Sequence, residues 1–297
     1  MTRYEFKASI AALALSTALL VGGCKAAVPD STDPASTSAA KSDVYPSLKT
    51  ALTCLPDGAA MMASHRGTSR DWDLPENSVS GLERLIADGY KVAEIDIAGT
   101  KDGVLFSYHD GVWDEVSTGT GPVASTTADE LETILLKTRK GTLTSERPPT
   151  FDALLKTAKD RIYLEIDFKS SARFEPVLAA IRAADMTDQV VLIAYSPGQT
   201  RKLAQLAPEM LLSTPPEAAK SGHLVWMGPD AKDINTAKPL KNNGSIVIGR
   251  VWEKKRADAL PAMLQNARLI VTDYINQYEP ITGTYDKAAY AACLSGS

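Results

Sequence analysis

Histidine and cysteine are scarce in this 297-residue chain, which contains three of each. Three cysteines are too few to frame a small disulfide-rich fold. An excess of positive charge is also absent, because 32 Lys and Arg residues face 36 Asp and Glu residues, for a net charge of -4. Nucleic acid is therefore not expected as a partner. Hydrophobic residues make up 44% of the chain and charged residues 23%, which is typical of a globular protein and excludes a mostly disordered one.

The N-terminus carries an apolar segment, Ile10–Val21, interrupted by Ser16 and Thr17. At about 12 residues it is shorter than the roughly 20 residues of a membrane-spanning helix, and it has the length of the apolar region of a signal peptide. It ends in Val21-Gly22-Gly23-Cys24, which resembles a bacterial lipobox, the motif in which the cysteine is lipidated. We therefore predict a lipoprotein-type signal peptide over residues 1–23, with ordinary secretion as the alternative.

Residues 24–47 are predicted to form a disordered tether, and residues 48–297 the globular domain. Between residues 25 and 47 there is no Ile, Leu, Met, Phe or Trp, so this segment cannot bury enough apolar surface to order itself. Because Lys25 rather than Asp follows Cys24, retention at the inner membrane is not signalled. The predicted location is the outer membrane of a Gram-negative bacterium, facing the periplasm. The membrane is reached through the lipid anchor, and the sequence indicates no obligatory protein partner.

Cys54 and Cys293 remain once Cys24 is lipidated, and they lie near the two ends of the predicted globular domain. In an oxidising compartment these two cysteines are expected to form a disulfide that closes the domain, and the alternative is a pair of free thiols.

Short apolar, β-branched segments alternate with amphipathic helical patterns from residue 59 onward. Near-continuous apolar segments are typical of parallel strands buried on both faces. Eight such strands are predicted, at Ala60–Ser64, Val92–Ile97, Ile162–Phe168, Val190–Tyr195, Met210–Ser213, His223–Met227, Ile246–Val251 and Leu269–Thr272. Eight strand–helix units predict an α/β fold of the (β/α)8 TIM-barrel type, in which the active site lies at the carboxyl ends of the strands. An open doubly wound sheet is the alternative, but no glycine-rich dinucleotide turn follows the first strand.

Charged side chains interrupt two of these apolar strands. Glu94 and Asp96 are two residues apart and therefore share one face of the second strand. Two buried acids on one face repel each other, and a divalent cation with oxygen ligands would neutralise them. A salt-bridged pair at the barrel rim is the alternative. On the third strand, Glu165, Asp167 and Lys169 also share one face.

Five short motifs occur in order between residues 65 and 110. They are His65-Arg66-Gly67, Pro75-Glu76-Asn77-Ser78, Glu94-x-Asp96, Thr100-Lys101-Asp102-Gly103-Val104 and His109-Asp110. In this order and spacing they resemble the glycerophosphodiester phosphodiesterase family, a family of metal-dependent (β/α)8 barrels. Val271-Thr272-Asp273 resembles the last strand of that family, but Tyr274-Ile275 then departs from its pattern.

The resemblance implies a role for each matching residue. His65 and His109 match the catalytic histidines, and Glu94 and Asp96 match ligands of one divalent metal ion, Ca²⁺ or Mg²⁺. Arg66 matches a phosphate-binding arginine.

The third strand departs from the family pattern, which is Glu-x-Lys. Asp167 with Lys169 fits that pattern if Asp replaces Glu as the metal ligand and Lys169 contacts the phosphate. In the other alignment Glu165 is the metal ligand, and Asp167 stands at the position of the family's lysine. We favour Asp167, although all three side chains face the same way and the sequence leaves both alignments open.

The expected reaction is hydrolysis of a glycerophosphodiester to glycerol 3-phosphate and an alcohol, with His65 as general base and His109 as general acid. Histidine is well suited to proton transfer near neutral pH. Two alternatives are a phospholipase or sphingomyelinase D-like enzyme that acts on phospholipids, and a non-catalytic surface lipoprotein that uses the same fold for binding.

Substitution of Cys24 by Ala is expected to release the protein from membranes and to leave the activity of the globular domain unchanged, because the tether separates the anchor from that domain. Fractionation of cells and labelling with a fatty-acid probe measure this. If the wild-type protein takes up no label and is freely soluble, simple secretion replaces the lipoprotein interpretation.

Overall fold

The computed structural model describes residues 45–113, 115–227, 234–242, 244–252 and 260–296. The predicted signal peptide, Cys24 and the predicted tether up to residue 44 lie outside these residues. Within the described part of the chain, no helix combines the length and the apolar character needed to cross a bilayer.

Eight parallel strands form a closed barrel, which confirms the predicted fold class. The strands are β1 Ala59–Ser64, β2 Val92–Gly99, β4 Tyr163–Phe168, β5 Val190–Ile193, β6 Leu211–Thr214, β7 Leu224–Trp226, β8 Ile246–Val251 and β9 Ala267–Thr272. They pair in chain order, and β9 pairs with β1 to close the ring. Two short antiparallel strands extend it: β3 Leu105–Ser107 pairs with β2, and β10 Ile281–Gly283 pairs with β1.

Helices connect most of the strands. They are α1 Leu48–Thr53, α2 Val79–Ala87, α3 Ala128–Leu131, α4 Phe151–Ala158, α5 Phe174–Ala183, α6 Pro197–Leu206, α7 Ile234–Asn242, α8 Leu260–Leu264 and α9 Lys287–Ser295. Helix α2 begins at Val79, directly after the Pro75-Glu76-Asn77-Ser78 motif. The Ser78 hydroxyl accepts a hydrogen bond from the Gly81 amide at 3.0 Å and caps the helix there, which leaves Glu76 and Asn77 in the preceding turn.

Successive side chains of each strand point alternately out of and into the barrel. The apolar residues therefore form two layers, one between strands and helices and one inside the barrel. On β2, Ala93, Ile95 and Ile97 point outward and join the layer between strands and helices. Glu94 and Asp96 consequently point into the barrel. Deeper in the interior, toward the amino ends of the strands, apolar side chains fill the barrel and pack against helix α1. The charged groups are thus confined to the carboxyl end of the barrel.

The amino end of the barrel is closed by α1 and by α9, which pack from the two termini of the domain. Leu48 and Leu52 of α1 are fully buried against the interior layer. A disulfide joins Cys54, at the end of α1, to Cys293 in α9, with their Cα atoms 5.8 Å apart.

The packed domain includes Tyr45, Pro46 and Ser47, which the sequence assigned to the end of the tether. The Tyr45 ring lies 5.0 Å from that of Tyr163, and the Tyr163 hydroxyl donates a 2.7 Å hydrogen bond to the Pro46 carbonyl. Ser47 caps α1. These contacts place the start of the domain before the predicted boundary. The reason is that Tyr45, an aromatic residue in an otherwise polar segment, packs against Tyr163 of β4.

Replacing both Cys54 and Cys293 by Ser is expected to lower the free energy of unfolding by about 2–5 kcal/mol, because the bridge closes a long loop of the unfolded chain. The two residues are separated by 239 positions. Denaturant unfolding of the oxidised wild type and the double variant measures the difference. An unchanged unfolding midpoint would show that the bridge contributes nothing to stability.

Candidate active site

A cavity of about 100 Å³ lies at the carboxyl end of the barrel and collects most of the predicted site residues. It is lined by His65, Glu94, His109, Glu165, Asp167, Lys169, Ile193, Tyr195, Arg250, Trp252 and Val271. A larger cavity, of about 900 Å³, lies at the opposite end and is lined by tyrosines of the barrel floor, among other residues. The larger cavity contains none of the predicted catalytic or metal-binding residues, so the smaller one is the candidate active site.

Three carboxylates form the centre of this site. Glu94, Asp96 and Asp167 each offer an oxygen atom, and the three atoms lie within 4.8 Å of one another. The register of the sheet produces the cluster, because Asp96 of β2 pairs directly with Asp167 of β4. All three side chains are buried, with at most 5% of each residue exposed.

The electrostatics of this cluster favour a cation. Burial, together with the charges of Asp96 and Asp167, raises the pKa of Glu94 well above its usual range. Lys169 forms ion pairs of 2.7 Å with Asp96 and 2.8 Å with Asp167. Burial would lower the pKa of Lys169, but the charges of these two acids outweigh it and raise that pKa.

Two cations, Lys169 in direct contact and Arg66 at 4.0 Å from Asp96, leave the three carboxylates short of positive charge. The Oδ1 atom of Asp167 is buried without a hydrogen-bond partner. Carboxylate oxygens at these separations are ligands suited to a hard divalent ion such as Ca²⁺ or Mg²⁺. The three acids therefore fit a metal-binding role.

The geometry distinguishes the two alignments of the third strand. Asp167, with its ion pair to Lys169, joins the three-carboxylate group, whereas Glu165 does not. Glu165 lies one layer deeper, paired in register with Glu94, and is fully buried. Burial raises the pKa of Glu165, and the charge of Arg250 opposes that rise. Glu165 is thus placed beneath the cluster, on the side of Arg250.

His65 follows β1 and is held by Asp273, an acid whose role could not be read from the sequence alone. Its Nδ1 atom lies 2.7 Å from Oδ1 of Asp273, which directly follows β9, and Arg70 contacts the other oxygen of Asp273 at 2.9 Å. Burial would raise the pKa of Asp273, but its bond to His65 and the nearby arginines lower it. Two features of the sequence pointed to Asp273: its position at the end of a strand, and its place in the Val271-Thr272-Asp273 motif.

The opposite nitrogen of His65 faces the carboxylate cluster. Its Nε2 atom lies 3.9 Å from Oε2 of Glu94. Burial lowers the pKa of His65, and the hydrogen bond to Asp273 only partly offsets this. Because a carboxylate can only accept, Nδ1 carries the proton and Nε2 of the neutral ring has a free lone pair.

His109 reaches the same cavity from the segment after β3. Its Nδ1 atom lies 2.7 Å from Oδ1 of Asp110, and both side chains are about one-third exposed, at 30% and 33%. The charge of His109 also acts on buried Asp96, and it helps Lys169 to lower the pKa of that acid against the effect of burial. Each histidine is therefore paired with an acid, with His65 the more buried of the two.

Asn77, from the Pro-Glu-Asn-Ser motif, orients Asp96. Its amide nitrogen donates to Oδ2 of Asp96 at 2.7 Å, and its amide oxygen accepts from the Asp96 backbone at 3.0 Å. Ser107 donates to the same amide oxygen at 3.0 Å. Asn77 has a φ of 55°, in the left-handed region that Asn adopts more readily than most residues.

Arg66 is positioned by both its backbone and its side chain. Its amide donates to Oε2 of Glu94 at 2.8 Å, and its guanidinium binds Glu76 at 2.8 Å. Its Nε atom lies 4.0 Å from Oδ2 of Asp96. Glu76 also binds Arg139, so this acid holds two arginines at the edge of the site.

A model of the Glycerophosphoryl diester phosphodiesterase family matches residues 65–216, half of the chain. A glycerophosphodiester phosphodiesterase from Caldanaerobacter subterraneus is 26% identical over 157 residues, which are 50% of this chain and 64% of the relative. A probable glycerophosphodiester phosphodiesterase 2 from Mycobacterium tuberculosis is 27% identical over 187 residues, 63% of each chain. The matches thus span less than two thirds of the length of these relatives.

Solved structures share the fold. A glycerophosphoryl diester phosphodiesterase from Parabacteroides distasonis superposes with a TM-score of 0.67 at 21% identity, covering 83% of this chain and 90% of that one. An Oleispira antarctica phosphodiesterase, solved in complex with the product sn-glycerol-3-phosphate, superposes with a TM-score of 0.59 at 18% identity, covering 76% and 96%.

Substitution of Asp167 by Asn is expected to weaken divalent-ion binding by about tenfold or more, because it removes one of the three clustered carboxylates. Substitution of Glu165 by Gln is the matched comparison, and its affinity for the ion should stay close to that of the wild type. Calorimetric titration with Mn²⁺ measures both. If the Glu165 variant loses binding and the Asp167 variant keeps it, the other alignment of the third strand is the correct one.

Proposed function

The chain belongs to the Glycerophosphoryl diester phosphodiesterase family, and on that premise we propose that it hydrolyses glycerophosphodiesters to glycerol 3-phosphate and an alcohol. The observation that carries this proposal is the meeting of two acid-paired histidines with a buried carboxylate cluster and Lys169 at one cavity. Such a combination supplies groups for proton transfer and for stabilising a negatively charged phosphoryl group.

Glu94, Asp96 and Asp167 would hold one divalent ion, Ca²⁺ or Mg²⁺. When bound, such an ion neutralises the charge that develops on the phosphoryl oxygens. The two flanking cations support the same task. Lys169 is 20% exposed at its side chain, so it can contact substrate while it remains paired with Asp96. Arg66, oriented by Glu76, supplies a guanidinium group suited to phosphate oxygens.

His65 is assigned as the general base. Asp273 fixes its ring so that Nε2 faces the cavity, and its lowered pKa keeps the ring neutral near pH 7. A neutral ring with a free lone pair can remove a proton from the nucleophile, which is either water or a neighbouring hydroxyl of the substrate. In the second case the first product would be a cyclic phosphate.

His109 is assigned as the general acid. Asp110 accepts from its Nδ1 atom and would stabilise the protonated ring. A protonated His109 can donate from Nε2 to the leaving alkoxide, so the alcohol departs neutral.

Membrane anchoring through Cys24 is proposed alongside this activity, and it rests on the lipobox-like sequence alone. An anchored barrel of this kind would act on small glycerophosphodiesters in the cell envelope. Within the described residues, no observation favours the phospholipase or the non-catalytic alternative.

The direct test is release of glycerol 3-phosphate from glycerophosphoglycerol and glycerophosphocholine, with Mg²⁺ or Ca²⁺ and with a chelator. The proposal predicts release with the ion and its loss with the chelator. Sphingomyelin and lysophospholipids serve as competing substrates, and turnover restricted to them would favour the phospholipase class. Absence of turnover on every diester, with the ion present, would refute hydrolysis.

Substitution of His65 or His109 by Ala is expected to reduce turnover by about 10²–10⁴-fold each, the range for loss of a general acid or base. Thermal unfolding and Mn²⁺ affinity should barely change, because neither histidine belongs to the carboxylate cluster. Either variant turning over at a near-normal rate would refute the role of that histidine.

A further inference from the structure

Arg250 lines the candidate active site but has no part in the reaction described above. It extends from β8, and its guanidinium carbon lies 5.2 Å from the ring centroid of Trp226 and 5.8 Å from that of Trp252. Trp252 in turn lies 4.5 Å from the ring of His65. We refer to Trp226, Arg250 and Trp252 as the arginine wall.

The wall lies next to the reacting groups. Tyr195 connects the wall to the carboxylate cluster, because its hydroxyl donates to Asp167 at 2.8 Å and its ring centroid lies 6.0 Å from that of Trp226. A substrate whose phosphate lies at the cluster would therefore direct one of its two alcohols toward the wall.

Within the described part of the chain, the charge of Arg250 is not fully balanced by a neighbouring acid of the protein. The charge of Arg250 acts on the buried acid Glu165, which lies beneath the carboxylate cluster. The Nε atom of Arg250 is buried without a hydrogen-bond partner among the described residues. Because Arg250 lines the cavity and is only partly buried, its guanidinium group is a charged donor that a ligand in the cavity can contact.

The chemistry of the wall discriminates between alcohols. Quaternary ammonium groups such as choline bind to the faces of aromatic rings. Here the protein's own cation lies against both tryptophans, and it would also repel a second fixed cation. A guanidinium carries only donors, so it favours hydroxyl and carboxylate oxygens.

We propose that Arg250 makes the site selective for glycerophosphodiesters whose alcohol carries hydroxyl or carboxylate acceptors and no fixed positive charge, and that choline diesters are poor substrates. This proposal deepens the proposed function and depends on it for the identity of the phosphate site.

The test compares kcat/KM for glycerophosphoglycerol and glycerophosphocholine in the wild type and in R250M, which keeps an unbranched side chain but removes the charge. The wild type is expected to prefer glycerophosphoglycerol by about tenfold or more, the effect of one hydrogen bond to a charged group. R250M should reduce that ratio by a similar factor, mainly through improved use of the choline diester. R201M, at an exposed arginine of α6, is the matched control and should keep the wild-type ratio.

R250Q provides a second variant if R250M fails to fold. No preference in the wild type, or a preference unchanged in R250M or R250Q, overturns the proposal.

Calorimetric binding of the same two diesters to H65A separates this proposal from the proposed function. If the wild type hydrolyses neither diester, the proposed function fails. Tighter binding of glycerophosphoglycerol to H65A, with that preference lost in the H65A/R250M double variant, would then still support the role of Arg250. Equal binding of both diesters to H65A would overturn it.

Discussion

Three carboxylates buried within 4.8 Å of one another constrain the whole carboxyl end of this barrel. Burial of like charges is unfavourable unless cations and hydrogen bonds compensate for it. Around the cluster, each acid has a separate compensating contact. The Arg66 amide binds Glu94, Asn77 binds Asp96, and Tyr195 binds Asp167. Lys169 neutralises part of the negative charge of the cluster, and a divalent ion would neutralise the rest. The ion would lie where a phosphodiester must be bound.

The two ends of the barrel divide stability and function between them. At the amino end, α1, α9 and the disulfide cover an apolar interior. At the carboxyl end, inward positions on β2 and β4 carry acids instead of apolar residues. Burying charged groups at the carboxyl end lowers the stability of the fold. Apolar packing at the amino end and between strands and helices offsets this loss.

Local patterns in the sequence predicted the eight strands and the acid pair Glu94 and Asp96, whereas the histidines and Arg66 were predicted from the resemblance to a known family. Apolar strand segments specify burial on both faces, and a spacing of two places Glu94 and Asp96 on one side. Such local patterns could not predict contacts between residues that are far apart in the sequence. Asp273 binds His65 across 208 positions, and no spacing rule relates them. The choice of Asp167 over Glu165 depends on the register between β2 and β4, which the sequence of either strand alone does not contain.

Metal binding by the wild-type protein shows whether the three-carboxylate cluster holds a divalent ion. Chelator-treated protein is titrated with Mn²⁺, Mg²⁺ or Ca²⁺ while ion stoichiometry and the unfolding temperature are both measured. We expect one ion per chain and a rise in the unfolding temperature with ion concentration, because an ion that binds only the folded state stabilises it. Absence of binding at millimolar concentrations, with no change in the unfolding temperature, would contradict a metal-binding role and would leave Lys169 and Arg66 as the cations beside the cluster among the described residues.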